Sequence, residues 1–182
     1  NALSDGLVTE SGSQNTQTKV SIFKNESAWI IPAQVNYCAE TYQGVNFFHD
    51  DAPKLSLLGA ALRNGYLHTA IREKGGAYGA GAMHDSSSGV FKFFSYRDPN
   101  CRETFDEFQA SINWINNNLK QKHLDEAVLN VISSVDKPLS PVGEAKSDFY
   151  QNLNGINHQM RLDYRNKILN TSLQDLHEVA DK

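Results

Sequence analysis

The chain has 182 residues and a formal net charge of −4, with 40% hydrophobic and 21% charged residues. That length fits one domain of the usual ~100–200 residues and buries a core without staples, while mild acidity argues against a grip on nucleic acid. No run approaches the ~20 apolar residues of a membrane span, no leader reads as a signal peptide, and two cysteines cannot build a disulfide framework.

Residues 1–27 are polar and without apolar period, and read as a flexible entry with a short strand at Val20–Phe23. Asn1-Ala2 reads as a cloning remnant. From residue 28 to the end a single domain is expected. Ala28–Tyr42 is the first strand signal, with Val35, Tyr37 and Ala39 alternating with Gln34, Asn36 and Cys38. Pro32 has no donor and belongs at a strand start, edge or bulge. Asp50-Asp51-Ala52-Pro53 is helix-opening chemistry. Lys54–Lys74 then reads as a helix, with Leu55, Leu58, Leu62 and Tyr66 on one face and Gly75-Gly76 as the stop.

Two strands follow, Ala77–His84 and Val90–Arg97, joined as a hairpin through Asp85–Gly89. In the second, Val90, Lys92, Phe94 and Tyr96 share one face and Phe91 and Phe93 the other, so both faces are expected to be covered. The rest is helical. Asn100 and Glu103 have capping-box spacing before a stripe of Phe105, Phe108, Ile112, Ile115 and Leu119. Leu124, Val128, Val131 and Val135 form another stripe, and Pro138 and Pro141 break the chain. Glu144–Leu153, Ile156–Leu169 and Ser172–Asp181 read as three more helices, the last capped by Ser172 and Asp175. Strand, helix, hairpin and a run of helices predict an α+β fold: a mostly antiparallel sheet with helices packed on one face, followed by a helical run. The chain stops at Lys182 without a closing Gly or Pro, which suggests a piece of something longer.

The residues that carry chemistry are few. A helical zinc site wants two His four apart plus a carboxylate. The six histidines are His49, His68, His84, His123, His158 and His177, and no two are three to five residues apart. His123 and Glu126 share a helix turn, but Ala127 stands where a second His would be. No metal ligand is therefore assigned to this chain. His49-Asp50-Asp51 and His84-Asp85 read as solvated loop residues. Cys38 and Cys101 are expected to be reduced, buried thiols, and no nucleophile elbow or phosphate loop is present.

Ile71-Arg72-Glu73-Lys74-Gly75-Gly76-Ala77-Tyr78-Gly79-Ala80-Gly81 is the unusual segment. Cations at a helix C-terminus and Gly caps explain part of it. They leave Tyr78 among small residues unexplained. Small residues let another backbone come close, a phenol can donate to a peptide carbonyl, and an Arg can hold a carbonyl or carboxylate. From the residues alone, peptide binding at Arg72 and Tyr78 stands as one reading beside the plainer one, a capped helix end that leads into a strand.

Leu67–Gly79 resembles the C-terminal half of the pitrilysin/insulinase-type zinc peptidases, specifically their presequence-protease branch. Ser87–Asn100 follows at the right distance, Ile31–Tyr37 precedes, and Ile168–Leu176 closes the match, so the resemblance runs from about residue 28 to the end. It implies two half-shells, each of two similar α+β domains, closed around a peptide chamber. It implies zinc in the N-terminal half, on an inverted His-x-x-Glu-His helix plus a distal Glu, none of which is found here. The chain would be most of the last domain, catalytically inactive alone, with a closing element beyond Lys182. The resemblance maps the chamber-lining Arg and Tyr onto Arg72, which would hold a substrate carbonyl, and Tyr78, which would bind substrate and stabilise the oxyanion.

The partners so implied are the zinc-bearing half of the same polypeptide and unfolded peptides, with no nucleic acid or membrane. The alternative is an inactive peptide-binding or scaffold subunit of the same fold. An organelle matrix or bacterial cytoplasm is expected over secretion, given the reduced-looking cysteines.

Overall fold

The computed structural model describes residues 26–182, so the expected strand at Val20–Phe23 and most of the polar entry lie outside the described residues. Residues 1–32 and 33–182 are separate units, and 26–32 carry no helix or strand. The second unit opens with β1, Asn36–Gln43. This strand is shorter than the 28–42 read from alternation. Its length is set by its partner: pairing runs from Asn36 opposite Asp98 to Gln43 opposite Val90.

Helix α1, Ala52–Leu62, begins with Pro53 in its first turn, where a missing N–H costs nothing. It continues without a break into a π-helical segment, Arg63–Lys74. Such turns usually occur as single bulges, so a 12-residue run is long. The helix is thus as long as expected but wider in its second half. The Gly75 N–H donates to Ala70 O at 3.0 Å, five residues back, and Gly76 at φ +81° turns the chain out.

The hairpin comprises β2, Gly79–Asp85, and β3, Val90–Asp98. Asp85 shapes the turn by accepting from the Ser87 N–H at 3.1 Å and the Ser87 hydroxyl at 2.6 Å. These bonds pull its carboxyl down to about 2. The sheet is antiparallel in the order β1-β3-β2, leaving β2 at an edge.

Five helices follow: α2, Arg102–Asn118; α3, Gln121–Val135; α4, Pro141–Leu153; α5, His158–Asn170; and α6, Leu173–Ala180. Ser172 and Asp175 cap α6 reciprocally. No residue of α4 is buried.

The core lies between one sheet face and the helices. Cys38, Ala80, Ala82, Phe91, Phe93 and Ser95 face inward, against Leu57, Leu62, Leu67, Ile71 and Phe108. Full burial of each such Leu or Phe contributes roughly 1.5–3 kcal/mol. Gly59 lets α1 settle on β2, since a Cβ there would lie 3.0 Å from Met83 Cα. On α2 the buried line is Thr104, Phe108, Ser111 and Ile115, and Ile112 is exposed. The small Ser111 fits against the neighbouring wall and turns its hydroxyl onto Phe108 O at 2.6 Å.

Other expectations are corrected. The outer sheet face is not covered: Tyr37, Met83 and Tyr96 are exposed there. Asn100 does not cap α2. Cys101 is the N-cap and makes no side-chain cap bond, because the Asn100 amide is used elsewhere, donating to Gly75 O at 2.7 Å. Cys101 is exposed while Cys38 is buried, and burial pushes the Cys38 thiol up to about 11. Asp51 is buried and accepts from Lys182 Nζ at 2.7 Å. His84 is no loop residue. It sits within β2, 9% exposed, with Nε2 donating to Val45 O at 2.8 Å and Ser56 Oγ 3.5 Å from Nδ1.

Two measurements test this packing. The position of a Gly65 Cβ falls 2.5 Å from the Trp114 ring. Gly65→Ala should therefore cost about 1–3 kcal/mol in urea melts and alter Trp fluorescence. Burial lowers the His84 imidazole below the ordinary 6.5. The unfolded chain binds that proton more readily, so stability from neutral His84 is complete above about 6.5 and lost as pH falls through the lowered folded value. Urea midpoints should drop between about pH 8 and about pH 5, and drop less in His84→Gln.

Candidate substrate groove

Beside the edge strand, the π-helical segment and the ends of β2 and β3 enclose a groove of about 670 Å³. Val35, His68, Arg72, Glu73, Tyr78 and Arg97 line it, with Gly76 and Ala77. A hollow of about 180 Å³ shares His68, Arg72 and Tyr78, and adds Arg63, Phe94 and Tyr96. Arg72 and Tyr78, the two residues singled out in the sequence, thus line one site.

The wide helical turn brings His68 against both Arg72 and Glu73. Arg72 Nη1 lies 2.8 Å from His68 Nε2, and His68 Nδ1 lies 3.3 Å from Glu73 Oε1. A guanidinium can only donate, so Nε2 accepts and the ring proton sits on Nδ1, facing Glu73. His68 therefore fixes the direction of Arg72 and leaves its other N–H groups for a ligand.

Tyr78 stands at the mouth, 62% exposed. Its ring meets Tyr96 edge-on at 5.5 Å, and the Arg97 guanidinium carbon lies 5.7 Å from its centroid. Among the described residues the Tyr78 hydroxyl has no hydrogen-bond partner, while its backbone N–H donates to Arg97 O at 3.3 Å. Arg97 has φ +50°, the left-handed region, where a non-Gly residue costs about 1–3 kcal/mol. It is the extra residue of a β-bulge, since the register shifts between Asn36 opposite Asp98 and Tyr37 opposite Tyr96.

The small residues after Tyr78 serve a purpose different from the one expected. A Cβ at Gly79 would lie 2.3 Å from the Tyr96 ring, and one at Gly81 would lie 3.1 Å from Arg63 Cγ. The close neighbours are this chain's own side chains. Arg63, His68 and Arg97 were not expected as site residues. Arg63 and His68 stand five apart, a spacing that faces one way only on a π-helical turn. Arg97 carries no local signal beyond its place before Asp98-Pro99.

No group of three or more His, Cys, Asp or Glu side chains that could hold a metal occurs among the described residues. His123 Nδ1 accepts the Lys120 N–H at 3.0 Å as part of a helix cap, which accounts for it without a metal. Among the described residues no helix is long and apolar enough to cross a membrane.

The fold is shared with a protease from Helicobacter pylori, at TM-score 0.70 and 22% identity, over 82% of this chain and 38% of that one. It is also shared with the inactive peptidase domain of a putative zinc protease from Bordetella parapertussis, at TM-score 0.67 and 16% identity, over 79% and 83%. The fold class is thus the α+β fold that these two proteins share. The family model described as the PreP C-terminal domain matches residues 25–182, and the chain belongs to that family. The mitochondrial presequence protease of Saccharomyces cerevisiae is 39% identical over 153 residues, 83% of this chain. The chain spans about 15% of the length of that relative.

If Gly79 makes room for the Tyr96 ring, Gly79→Ala should displace Tyr96 and, through it, Tyr78. The displacement should be read as a changed near-ultraviolet circular dichroism of the Tyr78–Tyr96 pair, and an unaltered signal would separate Gly79 from the placement of that pair.

Proposed function

We propose that this chain is the non-zinc C-terminal part of a zinc metalloendopeptidase that degrades unfolded peptides inside a closed chamber. The supporting observation is the exposed Tyr78 hydroxyl, without a partner among the described residues, in the same groove as the oriented Arg72. Negative charge grows on the scissile carbonyl oxygen when it is attacked, and a preorganised donor aimed at that oxygen lowers the barrier. Tyr78 supplies that O–H. Arg72, held by His68, donates to a neighbouring carbonyl and sets the register of the peptide.

The metal and its ligands belong to the N-terminal half of the same polypeptide, so the chain alone is inactive. Closure of the halves brings Tyr78 and Arg72 to the reacting bond and couples binding to turnover. A closed chamber admits extended peptides and excludes folded proteins. Presequences and similar free peptides are the substrate class that the relatives' name suggests. The mitochondrial designation of those relatives and the unbridged thiols support an organelle matrix as the compartment. A scaffold subunit would have no use for an outward phenol beside an oriented guanidinium.

In the full-length enzyme, Tyr78→Phe should lower kcat by well over tenfold, up to roughly a hundred-fold, while the thermal midpoint stays put. An unchanged kcat removes Tyr78 from the mechanism.

A further inference from the structure

The groove is cationic in a way that catalysis by Tyr78 and Arg72 does not require. Arg63, Arg72 and Arg97 all line it or its adjoining hollow, and all three are exposed. Among the described residues none of them is in an ion pair, although seven Lys or Arg pairs with carboxylates occur elsewhere. Glu73 is the one acid in the lining, and it faces His68. Arg97 stands out among the three. Its backbone is held left-handed, where Gly would sit without strain, and its guanidinium lies on the Tyr78 ring. A strained residue persists when its surroundings over-determine it, and such residues gather at functional sites. Here Asn36 Nδ2 donates to Asp98 O and to Asn100 O, each at 3.2 Å, which fixes the bulge from the facing strand.

We propose that Arg97 is a third substrate-contacting residue, which with Arg63 and Arg72 makes this groove select peptides bearing a carboxylate next to the segment that Tyr78 contacts. The inference rests on the peptide-binding reading above and adds a charge preference to it. A planar guanidinium takes a carboxylate through two parallel N–H bonds, and its π face can stay on the phenol while its edge binds. An amide in place of the carboxylate loses the charge-assisted part of that contact.

The test uses the full 182-residue chain and blocked, unstructured peptides in which a single Glu moves along an otherwise neutral, Gln-containing reference. Binding is read by fluorescence anisotropy. At one position Glu should tighten binding roughly tenfold over the reference, and the gain should shrink as salt screens it. In Arg97→Gln and in Arg97→Gly that gain should fall to within about twofold of the reference. Arg97→Gly should also melt at the same or a higher temperature, because Gly adopts this backbone without strain.

No gain at any position, or a gain that survives either variant, overturns the charge preference while peptide binding stands. A lowered melting temperature in Arg97→Gly also overturns it, since the side chain would then serve the fold. Failure of the reference peptide to bind at all defeats the peptide-binding reading, and the inference with it.

Discussion

A buried carboxylate ties the site together. Asp98 is fully buried, with Oδ1 accepting the Asn100 N–H at 2.9 Å and Oδ2 accepting the Thr104 hydroxyl at 2.8 Å. Asn100 in turn reaches Gly75 O, and Asn36 reaches Asp98 O and Asn100 O. One cluster therefore joins the end of the π-helical segment, the end of β3, the start of β1 and the first turn of α2. Buried polar groups of this kind are costly when unpaired, so the cluster holds together or fails as a unit. The residue before Asp98 is Arg97, whose carbonyl accepts from the Tyr78 backbone N–H. The left-handed bulge, and with it the placement of Tyr78, follows from how Asp98 is satisfied.

The sheet explains why the groove is open. Its inner face carries small residues on β2 and large ones on β3, so α1 approaches the edge closely while Phe108 packs tilted against Phe93 at 5.5 Å between centroids. The buried core lies on that side. The outer face keeps Tyr37, Tyr78 and Tyr96 exposed beside three arginines that have no ion-pair partner among the described residues. Exposed phenols and guanidinium groups can offer apolar area and donors together, which suits an extended peptide with many backbone carbonyls.

Much of the frame was legible in the residues. The helix from the Asp51-Ala52-Pro53 start to Gly75-Gly76, the hairpin around Asp85–Gly89 and the Ser172–Asp175 cap could all be read from spacing, and Arg72 and Tyr78, singled out in the sequence, line the same groove. These features depend on neighbours a few positions apart, through periodicity, capping and turn chemistry. The misreadings have another origin. The start of β1, the exposure of Ile112 and Cys101, the burial of His84 and the diversion of Asn100 each depend on a partner far away in the chain.

By itself, then, the sequence determined the order of elements, the α+β class and the Gly-Gly stop. Only the tertiary structure decided the width of the helical turn, the inward face of β1 and the bulge at Arg97. It also decided which side chain fills the space over Gly79. The reason is the range of the forces involved. Turn and cap preferences are settled within one or two helical turns of chain. The choice of face, register and strained backbone is settled by close packing and by pairing of buried polar groups, which act only when distant segments meet.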